Sequence, residues 1–294
     1  MSPRGREHRF GGSWTNTKLE VLRKYLQAYS TLMKNQGFDK WYIDAFAGTG
    51  YRTLRSVTEN SGNSGKLLFP DLAAEEPQRL LDGSARLALS VNPKFDHYVF
   101  IERSASRCAE LTQLRSEQQH LGLSIEIRQG DANEEVRKLC SGGWRFRRAV
   151  LFLDPYGMEV EWSTIEAIAQ TQAIDLWLLF PLGMGVQRLP KRSGQIPESW
   201  RRRLNVLLGT EDWYEEFYRV EVAPTLFGDD DHRLVKASAD TIGRYFNRRL
   251  QSVFSGVAEE PGVVKSHSVC KKWSGSCGGL LPLRQVSEAL VRLL

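Results

Sequence analysis

The chain has 294 residues, of which 41% are hydrophobic and 26% charged, enough apolar content for a full core and far from the composition of disorder. Lys plus Arg exceed Asp plus Glu by 40 to 35, a formal charge of +5 with a pI near 9.0, a mild bias towards polyanionic partners. Cys108, Cys140, Cys270 and Cys277 form no C-x-x-C pair, Met1 to Ser13 is Arg- and Gly-rich without an apolar core, and no apolar run approaches the ~20 residues of a membrane span. A cytoplasmic protein with reduced thiols is therefore expected, rather than a secreted disulfide scaffold or a membrane protein.

In chain order, Leu19, Leu22, Leu26, Tyr29 and Met33 recur at three- and four-residue intervals, which predicts an amphipathic helix from Thr15 to Met33 capped by Thr15 or Asn16. Lys40 to Phe46 is a short apolar run entering a glycine turn, and Tyr51 to Pro70 has the Gly, Ser and Asn content of a loop. Asp82-Gly83-Ser84 should cap a helix through Leu89, followed by a strand at His97 to Ile101 and a helix from Ser104 to His120 with Cys108, Leu111 and Leu114 inward. Strands at Ser124 to Arg128 and Ala149 to Leu153 flank a helix at Asn133 to Cys140, and a helix at Ser163 to Gln170 precedes a buried strand at Ile174 to Phe180. Strand and helix alternating at this rhythm predict a parallel sheet with right-handed crossovers. Beyond Pro181 the pattern changes: a Gly-, Pro- and Arg-rich loop to Glu198 leads to helical stretches near Trp200 to Leu208, Trp213 to Val220 and Ala237 to Leu250, with a last short helix at Gln285 to Leu294.

The chemistry concentrates at predicted strand ends. The first strand ends in Asp44-Ala45-Phe46-Ala47-Gly48-Thr49-Gly50, where Gly48 and Gly50 let backbone approach a ligand and Asp44 can meet a cationic ammonium; a tight turn without a ligand is the alternative. The second ends in Glu102, at the offset of an acid that binds ribose hydroxyls, and the third leads to Gln129-Gly130-Asp131, whose acid can accept from an adenine amino group or cap a helix. The fourth ends in Asp154-Pro155-Tyr156-Gly157. Methylating an exocyclic base amine requires fixed acceptors for its N–H groups so that the nitrogen lone pair points at the methyl donor. The Asp154 carboxylate and the Pro155 carbonyl fit those roles, and Tyr156 offers a face on which a flipped base can stack; a β-turn is the alternative. Arg145, Arg147 and Arg148 precede this strand, while Arg188, Lys191, Arg192, Arg201, Arg202 and Arg203 cluster beyond the fifth, with Trp200 and Trp213 nearby as candidate stacking groups. Such a patch can track phosphates or be a solvated helical face.

The run from Trp14 to about Leu250 resembles the three-Cys-motif partner family (TcmP), through W-T-N-T-K-L-E-V-L-R-K-Y-L, Y-I-D-A-F-A-G-T-G, D-G-S-A-R-L-A-L, Y-V-F-I-E, L-F-L-D-P-Y-G and G-T-E-D-W in order. The resemblance implies a class I S-adenosylmethionine-dependent methyltransferase-like domain, often associated with mobile elements and paired with a three-cysteine-motif protein. The tetrapeptide at Asp154 is similar to those of adenine-N6 and tRNA guanine-N2 methyltransferases, more closely the latter, and Lys18 and Ser84 match positions that help hold the cofactor in ribosomal-RNA adenine-N6 methyltransferases. The family's members tend to close with apolar strands resembling a final hairpin, whereas Val264 to Leu283 shows no clear pair of alternating strands.

The expectation is therefore an α/β protein with a Rossmann-like class I methyltransferase sheet and a helical appendage: a basic N-terminus at 1–13, the core at 14–182, a helical and basic appendage at 183–260 and a divergent tail at 261–294. Lys18, Asp44, Phe46, Gly48, Gly50, Ser84, Glu102 and Asp131 are the candidates for S-adenosyl-L-methionine, and Asp154, Pro155 and Tyr156 for catalysis. Arg188, Lys191, Arg192, Arg201, Arg202 and Arg203 are the candidates for RNA or DNA, and no metal is expected. Two rivals remain: a methyltransferase-fold partner or nucleic-acid adaptor of a three-cysteine-motif protein, and a nicotinamide-dependent oxidoreductase, which would leave the Asp154 tetrapeptide unexplained.

Overall fold

The computed structural model describes residues 12–47, 83–155, 157–182, 186, 196–224, 230–258 and 288–293, with backbone alone at 12–18, 221–224, 230–233 and 288–293. Its centre is a parallel sheet of β1 (Asp39–Asp44), β2 (His97–Glu102), β3 (Ser124–Gln129), β4 (Arg147–Leu153) and β5 (Ile174–Phe180), ordered 3-2-1-4-5. Near-continuous apolar sequence in β2, β4 and β5 is what a sheet covered on both faces requires, and every residue of β2 after His97 is buried.

Alternation along the strands sends side chains to two cores. Tyr42, Tyr98, Phe100, Val150, Phe152, Trp177 and Leu179 meet α1 (Gly12–Leu32), α2 (Gly83–Ser90) and α3 (Ala105–Glu117) through Leu22, Leu26, Ala88, Leu89, Leu111 and Leu114. Ile43, Val99, Ile101, Leu151, Leu153, Leu176, Leu178 and Phe180 meet the other set, α4 (Ala132–Cys140), α5 (Trp162–Gln170), α6 (Glu198–Leu208), α7 (Trp213–Phe217) and α8 (Ala239–Gln251). Helices between β1, β2 and β3 lie on one face and those after β3 on the other, so winding reverses between β1 and β4. This is a doubly wound, Rossmann-like α/β fold, in which ligands bind outside the carboxyl ends of the strands at that reversal.

Beyond β5 the structure adds two strands to the helices expected of the appendage. The helix at Trp213 ends at Phe217, and Tyr218 to Pro224 continues as β6, antiparallel to β7 (Asp230–Lys236). The alternation Tyr218-Arg219-Val220-Glu221-Val222 carries that strand signal. The helix expected at Gln285 to Leu294 is also overturned: Glu288–Leu293 forms β9, parallel to β5, and β8 (Gly256–Val257) pairs parallel with β9. Glu, Ala, Leu and Arg favour helix intrinsically, but the open edge of β5 offers a row of backbone donors and acceptors, and pairing with it overrides propensity. The first helix begins at Gly12, before the expected caps at Thr15 and Asn16, and α3 stops at Glu117 with a short 3-10 turn at Gln119–Leu121 in place of its last expected turn. Among the described residues no helix is long and apolar enough to cross a membrane.

Candidate functional site

The strand ends at the carboxyl edge are tied together by backbone hydrogen bonds. Ala45 N–H donates to the Phe152 carbonyl at 3.1 Å, Ala47 N–H to Ile101 at 3.0 Å, and Gly130 N–H to Glu102 at 3.1 Å. The loops leaving β1 and β3 are thereby fixed against β2 and β4, which sets where the strand-end acids stand. Asp44, Glu102 and Asp154 share the parity of Tyr42, Phe100 and Phe152, so all three belong to the side of the sheet covered by α1, α2 and α3.

Asp44 is fully buried, and its Oδ1 accepts from the Phe46 amide at 3.3 Å. Tyr42, two residues earlier, is equally buried. Burial, then the Asp44 and Asp154 carboxylates near it, push its hydroxyl well above the ordinary tyrosine range. Tyr42 is a site neighbour that the sequence reading missed, although strand alternation placed it on the face of Asp44.

Glu102 is 6% exposed. Its Oε1 accepts from the Ser104 amide at 2.6 Å, and its Oε2 stands 3.7 Å from the buried Arg107 guanidinium. Its environment also reaches Cys108, whose Sγ donates to the Glu102 carbonyl at 3.4 Å; burial first, and the Glu102 charge second, raise that thiol's pKa. Cys108 is only half-buried, and the inward positions of α3 are Arg107, Leu111 and Leu114. A carboxylate offers about four acceptor positions, so these contacts orient Glu102 without exhausting it.

Asp131, open between two roles in the sequence, is the N-cap of α4: its Oδ1 accepts from the Asn133 and Glu134 amides at 2.9 and 3.3 Å. Asn133 makes the link to the candidate catalytic loop. Its Nδ2 donates to the Glu159 carbonyl, and its Oδ1 accepts from the Glu161 amide and the Thr164 hydroxyl, each at 2.9 Å. Arg137 adds a 2.6 Å ion pair to Glu161. The segment following Asp154 is thus held to α4 by a buried polar clamp.

Asp154 is half-buried, Pro155 is buried and Gly157 has φ +74°, so the chain turns sharply just past β4. Ser84 stands half-buried in the first turn of α2, next to Gly83, which lies against Leu19 of α1. Tyr156, Gly48 and Gly50, the side chain of Lys18, and Arg188, Lys191 and Arg192 lie outside the described residues.

Arg201, Arg202 and Arg203 are exposed on α6, with Arg201 over the Tyr214 ring at 5.1 Å. Trp213, a candidate stacking group, is instead fully buried and donates to Asn205 Oδ1 at 2.7 Å. Arg145, Arg147 and Arg148 do not join the carboxyl-edge acids: they precede and begin β4, at the opposite, amino edge of the sheet.

Strand order and winding define a Rossmann-like α/β protein with three acids at the strand ends around its switch point. No protein-family model matches the sequence, and no curated protein matches it. Among solved structures, the chain is similar to a protein of Legionella pneumophila at 14% identity, covering 83% of this chain and 94% of that one with a TM-score of 0.37. It is also similar to a methyltransferase from Geobacter sulfurreducens at 9% identity, covering 77% and 90% with a TM-score of 0.30. A conserved hypothetical protein of Streptococcus pyogenes is 17% identical over 51% of this chain and 69% of that one, with a TM-score of 0.29. The fold class rests on strand order and winding, and superpositions at these scores bear on neither activity nor ligand.

Proposed function

We propose that the chain is an S-adenosylmethionine-dependent methyltransferase acting on an exocyclic amine of a nucleobase in RNA or DNA, guanine N2 or adenine N6. The observation that supports it best is the placement of Asp44, Glu102 and Asp154 at the carboxyl ends of β1, β2 and β4, around the reversal of the sheet. A carboxylate buried as completely as Asp44 suits a cationic ammonium or sulfonium group. The remaining acceptor positions of Glu102 suit a pair of ribose hydroxyls.

In this reading Asp44 and Glu102 hold the cofactor, with Phe46, Gly48 and Gly50 beside it, Lys18 and Ser84 on the neighbouring helices, and Asp131 towards the adenine. When bound, S-adenosylmethionine supplies an electrophilic methyl group. The chain's own residues orient the acceptor: the Asp154 carboxylate and the Pro155 carbonyl take the amine N–H groups, Asp154 receives the proton that the methylated nitrogen sheds, and Tyr156 stacks on the base, worth ~1–3 kcal/mol.

Calorimetric titration with S-adenosylhomocysteine, paired with incorporation of labelled methyl groups into RNA and DNA, tests this. The expected outcome is binding in the intact protein, and incorporation that Asp154→Ala abolishes while leaving S-adenosylhomocysteine affinity within about threefold, because Asp154 acts on the acceptor. Absence of binding sinks the proposal. One observation favours a second reading: among the described strands the main sheet closes with β9 and β8 both parallel, not with a hairpin. A methyltransferase-fold adaptor, working with a three-cysteine-motif protein, would bind nucleic acid without incorporating methyl groups.

A further inference from the structure

The amino edge of the sheet carries chemistry that the carboxyl-edge site does not use. Trp144-Arg145-Phe146-Arg147-Arg148 leads into and begins β4, and each of its arginines lies over an aromatic ring: Arg145 over Phe146 at 5.1 Å, Arg147 over Trp41 at 4.9 Å, and Arg148 over Phe38 at 4.0 Å. Phe146 is 64% exposed, which leaves its ring accessible to a stacking partner. Beside this run is a cleft of about 450 Å³ between the ends of α4 and α5, lined by Arg137, Trp144, Arg145, Arg148, Gln170 and Gln172 among others, with no carboxylate in its wall.

Local charges decide what fits. Glu161 neutralises Arg137, and the C-terminal ends of α4 and α5 offset roughly one of the three charges that remain on Arg145, Arg147 and Arg148. Asp39, opposite Arg147, and Asp175, on the face of Arg148, answer further charge, so the positive charge is concentrated at the exposed Arg145, beside a cleft whose wall includes the amide side chains of Gln170 and Gln172. Guanidiniums for phosphates, acceptors for base N–H groups and an exposed ring for stacking are the requirements of an unpaired polynucleotide.

We infer that this edge is a docking site for a single-stranded nucleic acid, centred on Arg145 and Phe146 and separate from the carboxyl-edge crevice. A long strand held here would be anchored on the far side of the sheet from Asp154. The inference stands on the amino-edge residues alone and holds whether or not the chain transfers methyl groups.

The test is fluorescence anisotropy with a labelled single-stranded oligonucleotide of mixed sequence, on the full chain and its variants. Arg145→Ala combined with Phe146→Ala should weaken binding by about tenfold, from one lost stacking contact and one lost phosphate contact, and should lower the salt slope by about 0.7. Both residues are exposed, so the thermal midpoint and S-adenosylhomocysteine titration should be unchanged, which separates failure here from failure of the cofactor reading. Arg244→Ala, at an exposed position of α8, should leave most of the affinity intact. Unchanged affinity in the Arg145/Phe146 variant overturns the inference. So does preference for duplex over single strand, since paired bases cannot stack on Phe146.

Discussion

Replacing Asn133 with Ala tests whether the loop after Asp154 is held as the structure implies. The substitution removes three hydrogen bonds at once, to the Glu159 carbonyl, the Glu161 amide and the Thr164 hydroxyl. Thr164 is 1% exposed; its hydroxyl still accepts from Arg137 but loses the acceptor for its own proton out of reach of solvent, a cost of about 1–3 kcal/mol. The groups of Glu159 and Glu161 are nearer water and should contribute about 0.5–1 kcal/mol each. The sum, about 3 kcal/mol, corresponds to a fall of roughly 6–10 °C in the thermal midpoint of a domain this size. Differential scanning fluorimetry and urea unfolding read it directly. If the proposed function holds, methyl incorporation should fall further than S-adenosylhomocysteine affinity, because the clamp positions Asp154 and leaves the Asp44 and Glu102 sites in place. A midpoint within about 2 °C of the parent would refute the clamp.

Gly209 has φ +66°, and a Cβ there would stand 2.2 Å from the Trp162 ring, so Gly209→Ala should cost about 3 kcal/mol, while Gly122→Ala, at φ +63° with open space around it, should cost only about 1 kcal/mol; equal urea midpoints would contradict the packing. Asp131→Ala removes the cap of α4 and should cost about 1 kcal/mol of stability, and a matching loss of S-adenosylhomocysteine affinity by calorimetry would show that Asp131 also touches the cofactor. Burial pushes the Cys140 thiol up to about 12, so the stability it contributes is fully present below the ordinary thiol range and is lost as pH rises towards that value. Between about pH 8 and pH 10.5 the parent should therefore lose about 2 kcal/mol more than Cys140→Ala in guanidinium unfolding, and parallel losses would disprove it.

Much of the doubly wound core was legible because a sheet covered on both faces writes itself as short apolar runs between amphipathic helices. Ile174 to Phe180 begins and ends where the sequence placed it. What escaped was decided by partners distant in the chain. Tyr218 to Pro224 needed Asp230 to Lys236 opposite it to become a strand, and Glu288 to Leu293 needed the free edge of β5. At the candidate site, the strand-end positions of Asp44, Glu102 and Asp154 were legible in the sequence. Arg107, Asn133 and Tyr42 could not, because their roles come from what they face across loops: a carboxylate 3.7 Å away, a carbonyl 26 residues on, and two acids beside a buried ring.

The distribution of charge follows from the polarity of the sheet. All the crossover helices run antiparallel to the strands they join, so their N-termini, with partial positive charge, gather at the carboxyl edge and their C-termini at the amino edge. Asp131 at the N-cap of α4 and the strand-end acids answer the first field; Arg147 and Arg148, near the ends of α4 and α5, answer the second. The two edges therefore differ in charge, with strand-end acids gathered at the carboxyl edge and arginines among aromatic rings at the amino edge. Arginines beyond those needed at the helix ends, and a ring as exposed as Phe146, are what dipole compensation leaves unexplained, and they are the residues whose substitution separates docking from simple charge balance.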